Sequence, residues 1–382
     1  VTNPPPHDAL AAGLFGPSPN FGEPLPGLTT DELTRFILGK EEFEEEETVA
    51  AGLGPVFNNA SCATCHDLPV GGTTGRTETR FGRTVNGVFD PLVALGGSLR
   101  QDQAIGAVAD SFVFTAEQVP GAANVTAGRI TTQLFGLGLV DAVPDSTLLQ
   151  LAGLQATLYP ATAGTPSIMT EISTGRIRVG RFGWKAQNPT LFQFAGDAYV
   201  NELGITNPEF PDENCPQGDC SALAHNPAPG LNDDGTGVQG FADFMTLLAP
   251  PPRGPVSVQA QVGSGIFGTI GCANCHTRAL VTGDSPVAAL SHKEFQPFSD
   301  FLLHDMGSLG DGIVQGSAGA RQMRTAPLWG VRTRSLLLHD GRATSLEAAI
   351  LAHDGQARPA RDRFTALDAV ARQALIAFLK SL

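Results

Sequence analysis

Residues 1–28 carry Pro and Gly with little apolar periodicity, which predicts an extended arm over the surface, not a domain. Thr29-Thr30-Asp31-Glu32 then opens a helix with capping chemistry, and Leu33, Phe36 and Ile37 supply its apolar stripe. The six glutamates between Glu41 and Glu47 surround Phe43 and read as a solvated helix face. Residues 67–128 are rich in Gly and Thr, with short β-branched pieces such as Ser111 to Thr115, so irregular structure with minor strands is expected. From Ile172 to Phe182, Ile177, Val179 and Phe182 alternate with Arg176, Arg178 and Arg181, as in a short hairpin arm. Phe364 to Leu382 predicts an amphipathic helix built on Leu367, Val370, Leu375, Phe378 and Leu379. The run Pro250-Pro251-Pro252-Arg253-Gly254-Pro255 is a linker by composition. It divides the chain into an arm (1–28), a unit of 29–249 with hairpin and loop insertions, and a unit of 250–382.

A chain of 382 residues has room for two or three domains, and 45 Gly with 28 Pro consign much of it to loops. The expected fold is mainly α with irregular loops and minor β. The formal net charge of −14 argues against nucleic acid and suits a basic electron-donor protein or a small redox substrate, with an oligomer allowed. No run approaches the ~18 apolar residues of a membrane span.

Chemistry concentrates in one pentapeptide that occurs twice, Cys62-Ala63-Thr64-Cys65-His66 and Cys272-Ala273-Asn274-Cys275-His276. C-x-x-C-H is the attachment signature of c-type haem: two thiols bond the macrocycle and the histidine becomes the proximal iron ligand. The same residues admit a zinc site or a thioredoxin-type dithiol. Zinc would need the two distant pairs brought together, and the dithiol has no use for the trailing His. Two covalent haems c, on His66 and His276, are therefore expected. Phe57 and Phe267 each stand five residues before the first Cys of a motif, as expected of a ring packed on the haem or its supporting helix. Haem attachment belongs to the oxidising side of a membrane, so the protein is expected to be periplasmic or extracellular, Val1 being a processed or trimmed start. Cys215 and Cys220, the two remaining cysteines, flank a short Pro-Gly loop suited to a disulfide, with two free thiols as the alternative. Asn232-Asp233-Asp234-Gly235-Thr236-Gly237 reads as a surface turn or an incomplete Ca²⁺ loop.

Related segments follow both motifs in the same order. Thr131-Thr132-Gln133-Leu134-Phe135-Gly136 and Arg181-Phe182-Gly183-Trp184-Lys185-Ala186 follow the first. Thr325-Ala326-Pro327-Leu328-Trp329-Gly330 and His339-Asp340-Gly341-Arg342-Ala343 follow the second. The shared order predicts two homologous haem units in a pseudo-twofold arrangement.

The run from Arg324 to Gly330, and Leu338-His339-Asp340-Gly341-Arg342-Ala343 with Leu346 to Ile350, resemble the bacterial di-haem cytochrome c peroxidase superfamily. Gly180 to Ala186 and Leu303-His304-Asp305-Met306-Gly307 resemble its di-haem oxidoreductase branch more closely. The resemblance covers roughly residues 30–382. It implies two cytochrome c-like helical domains facing each other, one haem meeting peroxide and the other relaying electrons. It further implies a second ligand for the C-terminal iron after the H-D-G turn, which falls on His353, with Met306 as the alternative. In the superfamily a Gln and a Glu about ten residues later serve the open iron face. The matching pair here is Gln193 and Glu202, nine apart. Trp184 occupies the position of an aromatic between the haems, and is otherwise a core residue of the hairpin. The resemblance thus implies a peroxidase-like oxidoreductase. A non-catalytic di-haem carrier with both irons six-coordinate, and an oxygen-using or protein-modifying di-haem enzyme, are the alternatives.

Overall fold

The computed structural model describes residues 19–109 and 111–382, so most of the arm predicted over 1–28 lies outside the described residues. Its described end is packed: Leu25 is buried, and its N–H donates to the carbonyl of Leu247 at 2.8 Å.

Helix α1 (Thr30–Glu44) starts where the sequence places it, with Thr29 and Glu32 closing a reciprocal capping box. Its buried face is Phe36, Gly39 and Phe43, whereas Leu33 and Ile37 of the predicted stripe are exposed. The cause is Gly39. A Cβ there would collide with the carbonyl of Gly240, so the close crossing with the helix Thr236–Leu247 selects the glycine face. Phe43 is accordingly core, and only the glutamates around it form a polar face.

Helices α2 (Leu137–Asp141), α3 (Asp145–Leu158), α4 (Leu191–Leu203) and α5 (Thr236–Leu247) complete the helical part of the first half. The second half holds α6 (Val258–Thr269), α7 (Leu346–Ala352), α8 (Arg358–Ala366) and α9 (Ala369–Leu379). The predicted single helix from Phe364 is two. The chain breaks at Leu367, and Asp368 caps α9 by accepting from the Ala371 N–H. Helix α6 crosses α9 at Gly263, where a Cβ would strike the Ala374 carbonyl. In each half, then, the helix ahead of the haem motif crosses a later helix at a glycine.

The stretch 67–128 is more ordered than predicted. Strand β1 (Thr77–Val85) pairs antiparallel with β2 (Val125–Ile130) and with two short neighbours in a small sheet. Ser111 to Thr115 contributes only an isolated bridge from Val113 to Ala107. The hairpin is β3 (Ser167–Thr170) with β4 (Ile177–Gly180), starting before the predicted Ile172. Its Arg181 points inward and is fully buried, donating to the carbonyls of Val140 and Val143 and pairing with Asp145.

The run 250–255 is pinned to the C-terminus: the Gly254 N–H and Arg253 Nε donate to the Ser381 carbonyl. The halves also exchange backbone bonds. The Ile130 N–H donates to the His339 carbonyl at 2.7 Å, and the Arg324 N–H to the Trp184 carbonyl at 2.9 Å. A buried ion cluster spans the same interface, with Asp311 bound by Arg129 at 2.7 Å and by Lys185 at 2.8 Å. Cys215 and Cys220 form a disulfide, as predicted. Among the described residues no helix is long and apolar enough to cross a membrane.

Candidate active site

Both pentapeptides fold alike. Each opens a short 3-10 turn, and each histidine donates its N–H to the carbonyl of the first cysteine at 3.0 Å. Each motif lines its own cavity, so the two Cys pairs do not converge as a four-cysteine zinc site requires.

The second cavity, of about 410 Å³, is lined by Cys272, Cys275, His276, Met306, Trp184 and His353 among others. His276 and His353 face each other with ring centroids 6.5 Å apart. A metal ion between two imidazoles, at about 2 Å from each nitrogen, fits that span. The Nδ1 of His276 lies 2.9 Å from the Phe298 carbonyl, and that of His353 lies 2.7 Å from the Ala349 carbonyl. Both rings thus present Nε2 to the gap, in the arrangement that outer hydrogen bonds impose on metal-binding histidines. Burial lowers both imidazoles, His276 to about 4, which keeps them in the neutral, ligating form. Met306 instead packs with Ile130, Trp184 and Met323. Nε and Nη2 of Arg334, in the wall of this cavity, are buried without a hydrogen-bond partner. A buried guanidinium with no anion is costly, and haem brings two carboxylates. The residues present fit the group.

The first cavity is smaller, about 170 Å³, and differs in its wall. His66 is half-buried, and desolvation there lowers its imidazole to about 4. Phe43, not the predicted Phe57, supplies the ring beside it, at 5.9 Å. Phe267 plays the corresponding part at His276, at 6.3 Å. Phe57 lies on a two-residue strand outside the cavity lining. Residues 45–61 separate α1 from its motif, whereas α6 runs straight into its own, so Phe57 joins the core that holds Phe36 and Phe43 of α1 and leaves the place beside the histidine to Phe43. Among the described residues, no second histidine lines the first cavity; its one thioether is Met245.

The same cavity holds a polar cluster that includes Glu202, Glu78, Arg80, Arg129 and Asn58. Helix α4 delivers Glu202, and Gly204 ends that helix in a left-handed conformation, φ +69°. Gly54 packs directly on Gly204, and the Asn58 N–H donates to the Glu202 carbonyl at 2.7 Å. The Asn58 side chain donates to Glu202 Oε2 at 2.8 Å. Burial, then the charge of Glu78, push Glu202 up to about 8, against the opposing pull of Arg80 and Asn58. Glu78 goes the other way. Burial resists its ionisation, but Arg80, which bonds both its oxygens at 3.0 and 3.1 Å, and Arg129 hold it below the usual range.

Gln193 is elsewhere. Its amide accepts from the Ile172 N–H and donates to Asn188, and it does not line the cavity. Asn58 is the amide at Glu202. Trp184 lines both cavities, and its Nε1 donates to the Ile130 carbonyl at 2.8 Å. The carboxylates of the possible calcium turn are engaged locally: Asp233 accepts from the N–H groups of Gly237 and Val238, and Asp234 bonds Thr236. Sequence reasoning missed Glu78, Arg80, Asn58 and Arg334. A signal for the first two was present, since Glu78 and Arg80, two apart on a strand, share a face.

The family model described as "Di-haem oxidoreductase, putative peroxidase" matches residues 121–382. The chain belongs to this family. It is an oxidoreductase of peroxidase-like type, and its family implies two haem cofactors. Among solved structures, the chain is similar to hydrazine synthase of Kuenenia stuttgartiensis (14% identity, 96% of this chain and 95% of that chain, TM-score 0.42). It is also similar to a MauG-like protein associated with microbial copper homeostasis (15%, 96% and 94%, 0.41). A third is the dihaem peroxidase BthA of Burkholderia thailandensis (15%, 91% and 86%, 0.42). No curated protein is a detectable relative by sequence.

Proposed function

We propose that this member of the di-haem oxidoreductase family is an exported peroxidase with two covalently attached haems c. In this reading Cys62, Cys65 and His66 would hold the first haem, and Cys272, Cys275, His276 and His353 would hold the second. The exchanged bonds between Ile130 and His339, and between Arg324 and Trp184, support two units in pseudo-twofold relation. Haem, when bound, would supply the redox chemistry; the first cavity offers it His66 as the one histidine ligand, and the second offers both His276 and His353. Trp184 lies between, and a cationic donor protein suits the net charge of −14.

The observation that carries the proposal is the placement of Glu202: it lines the same cavity as His66, that cavity's one histidine, with Oε2 held by the Asn58 amide at 2.8 Å, where burial and the charge of Glu78 push it up to about 8. Splitting the O–O bond of peroxide needs a base that takes a proton from one oxygen and returns it to the leaving oxygen. A carboxyl poised near neutrality does both. Asn58 fixes its orientation through Oε2, and Arg80 with Arg129 keeps the adjoining Glu78 ionised. Glu202→Gln keeps size and polarity but cannot cycle a proton. Both haems and their resting spectra should persist, while the peroxide reaction slows by on the order of a hundredfold. A variant reacting at the parent rate would remove Glu202 from the mechanism.

A further inference from the structure

Tyr199 has no part in the motifs or in the acid–base reading. It is one of two tyrosines in the chain, lines the first cavity from α4 and is 5% exposed. Its hydroxyl donates to Glu47 Oε1 at 2.6 Å. Glu47 is half-buried, whereas Glu44, Glu45 and Glu46 beside it are exposed. Rings connect this pair to the haem motif. Tyr199 stands edge-on to Phe241 at 4.8 Å, Phe241 to Phe43 at 6.2 Å, and Phe43 to His66 at 5.9 Å. A series of ring contacts thus runs from the proximal imidazole to a phenol whose acceptor leads to an acidic surface.

A buried hydroxyl needs a partner, but a backbone carbonyl would serve. A carboxylate at 2.6 Å does more, because it is a proton acceptor within transfer distance. Burial, followed by Glu45 and Asp233, raises Glu47 above the usual range, although the Tyr199 bond opposes this; Glu42 is raised in the same cluster. Burial and the Glu47 contact hold the phenol far from ionisation. Tyr199 therefore keeps its proton at rest, and has a defined place to put it once an electron leaves the ring.

We propose that Tyr199 is a redox-active relay between the first haem cavity and the surface, with Glu47 as its proton acceptor. The proposal rests on the peroxidase reading above, in which peroxide is the oxidant. The phenol gives up one electron towards the cavity, its O–H bond breaks, and the proton passes to the Glu47 carboxylate, leaving a neutral phenoxyl radical. One electron from an external reductant, with the proton returned by Glu47, restores the phenol. The net transfer is one electron from donor to site, and Tyr199 is unchanged.

The test is freeze-quench electron paramagnetic resonance on the holoprotein mixed with hydrogen peroxide without donor, with the first-haem optical change recorded alongside. The parent and Tyr159→Phe should give a phenoxyl signal that narrows with ring-deuterated tyrosine. Tyr199→Phe should abolish it, and Glu47→Gln should slow its appearance by on the order of a hundredfold. A second measurement needs no variant: a nitroso spin trap added to the parent should leave its adduct on the peptide of Tyr199. An optical change with no phenoxyl signal, a signal surviving Tyr199→Phe, or an adduct on Tyr159 alone would overturn the relay and leave the peroxidase reading standing. A first haem inert to peroxide would overturn both.

Discussion

Glu202 and Glu78 share one wall, yet their neighbours drive them apart. Arg80 grips both oxygens of Glu78, and Glu202 is left with one amide and a nearby negative charge. Glu202 must be ionised to accept a proton, so the peroxide reaction should quicken as pH rises and level off above about 8. Glu78→Gln removes the adjoining charge and should move that rise to lower pH, by on the order of one unit; Glu202→Gln should flatten it. Stopped-flow rates across the pH range check both, and a midpoint unmoved in Glu78→Gln would dismiss the coupling. At the second cavity, His353→Ala should turn a low-spin haem high-spin and raise its potential, since a strong donor to Fe(III) is lost. An unchanged low-spin spectrum would point to Met306. Much of this was legible: the pentapeptides mark His66 and His276, and the H-D-G turn leads to His353. Gln193 was not, because a residue two positions into a helix faces wherever the helix packing turns it, and here it secures the 171–172 turn.

At the scale of elements, two glycines do what apolar patterns could not predict. Gly39 rotates α1 onto Phe36 and Phe43, and Gly263 brings α6 against the backbone of α9. A larger residue must push these helices apart, at about 1–3 kcal/mol for overpacking. Gly263→Leu should lower the denaturation midpoint of the holoprotein accordingly, whereas the same change at Gly153, where a Cβ meets nothing, should cost little. Equal losses at both sites would contradict the crossing argument. Strand β1 was hidden for a related reason. Its inward positions Glu78 and Arg80 face a polar cavity and give no hydrophobic alternation. The burial of Arg181 was hidden likewise: Asp145 and the carbonyls of Val179, Val140, Asp141 and Val143 satisfy its charge inside.

Across the whole molecule, the linker and the repeat lead one to expect two units, and the structure shows each pentapeptide lining its own cavity. How tightly the units join was not legible, because the residues responsible are far apart in sequence. Asp311 of one half is buried between Arg129 and Lys185 of the other. Burial lowers Lys185 to about 8, with Asp311 opposing. Asp311→Asn would leave the buried Lys185 without a counter-charge and Arg129 with only Glu78, 3.9 Å away, at about 3–5 kcal/mol. Chemical denaturation should show that loss, and a change under about 1 kcal/mol would mean the pair is hydrated. In the proposed reading this framework would leave one iron open at His66 and close the other with His276 and His353. Electron paramagnetic resonance of the resting, oxidised holoprotein tests it most directly. Two haems per chain are expected, one high-spin with His66 and one low-spin with His276 and His353. Two low-spin, six-coordinate haems, with Met245 or another side chain on the first iron, would contradict it and make the protein an electron carrier.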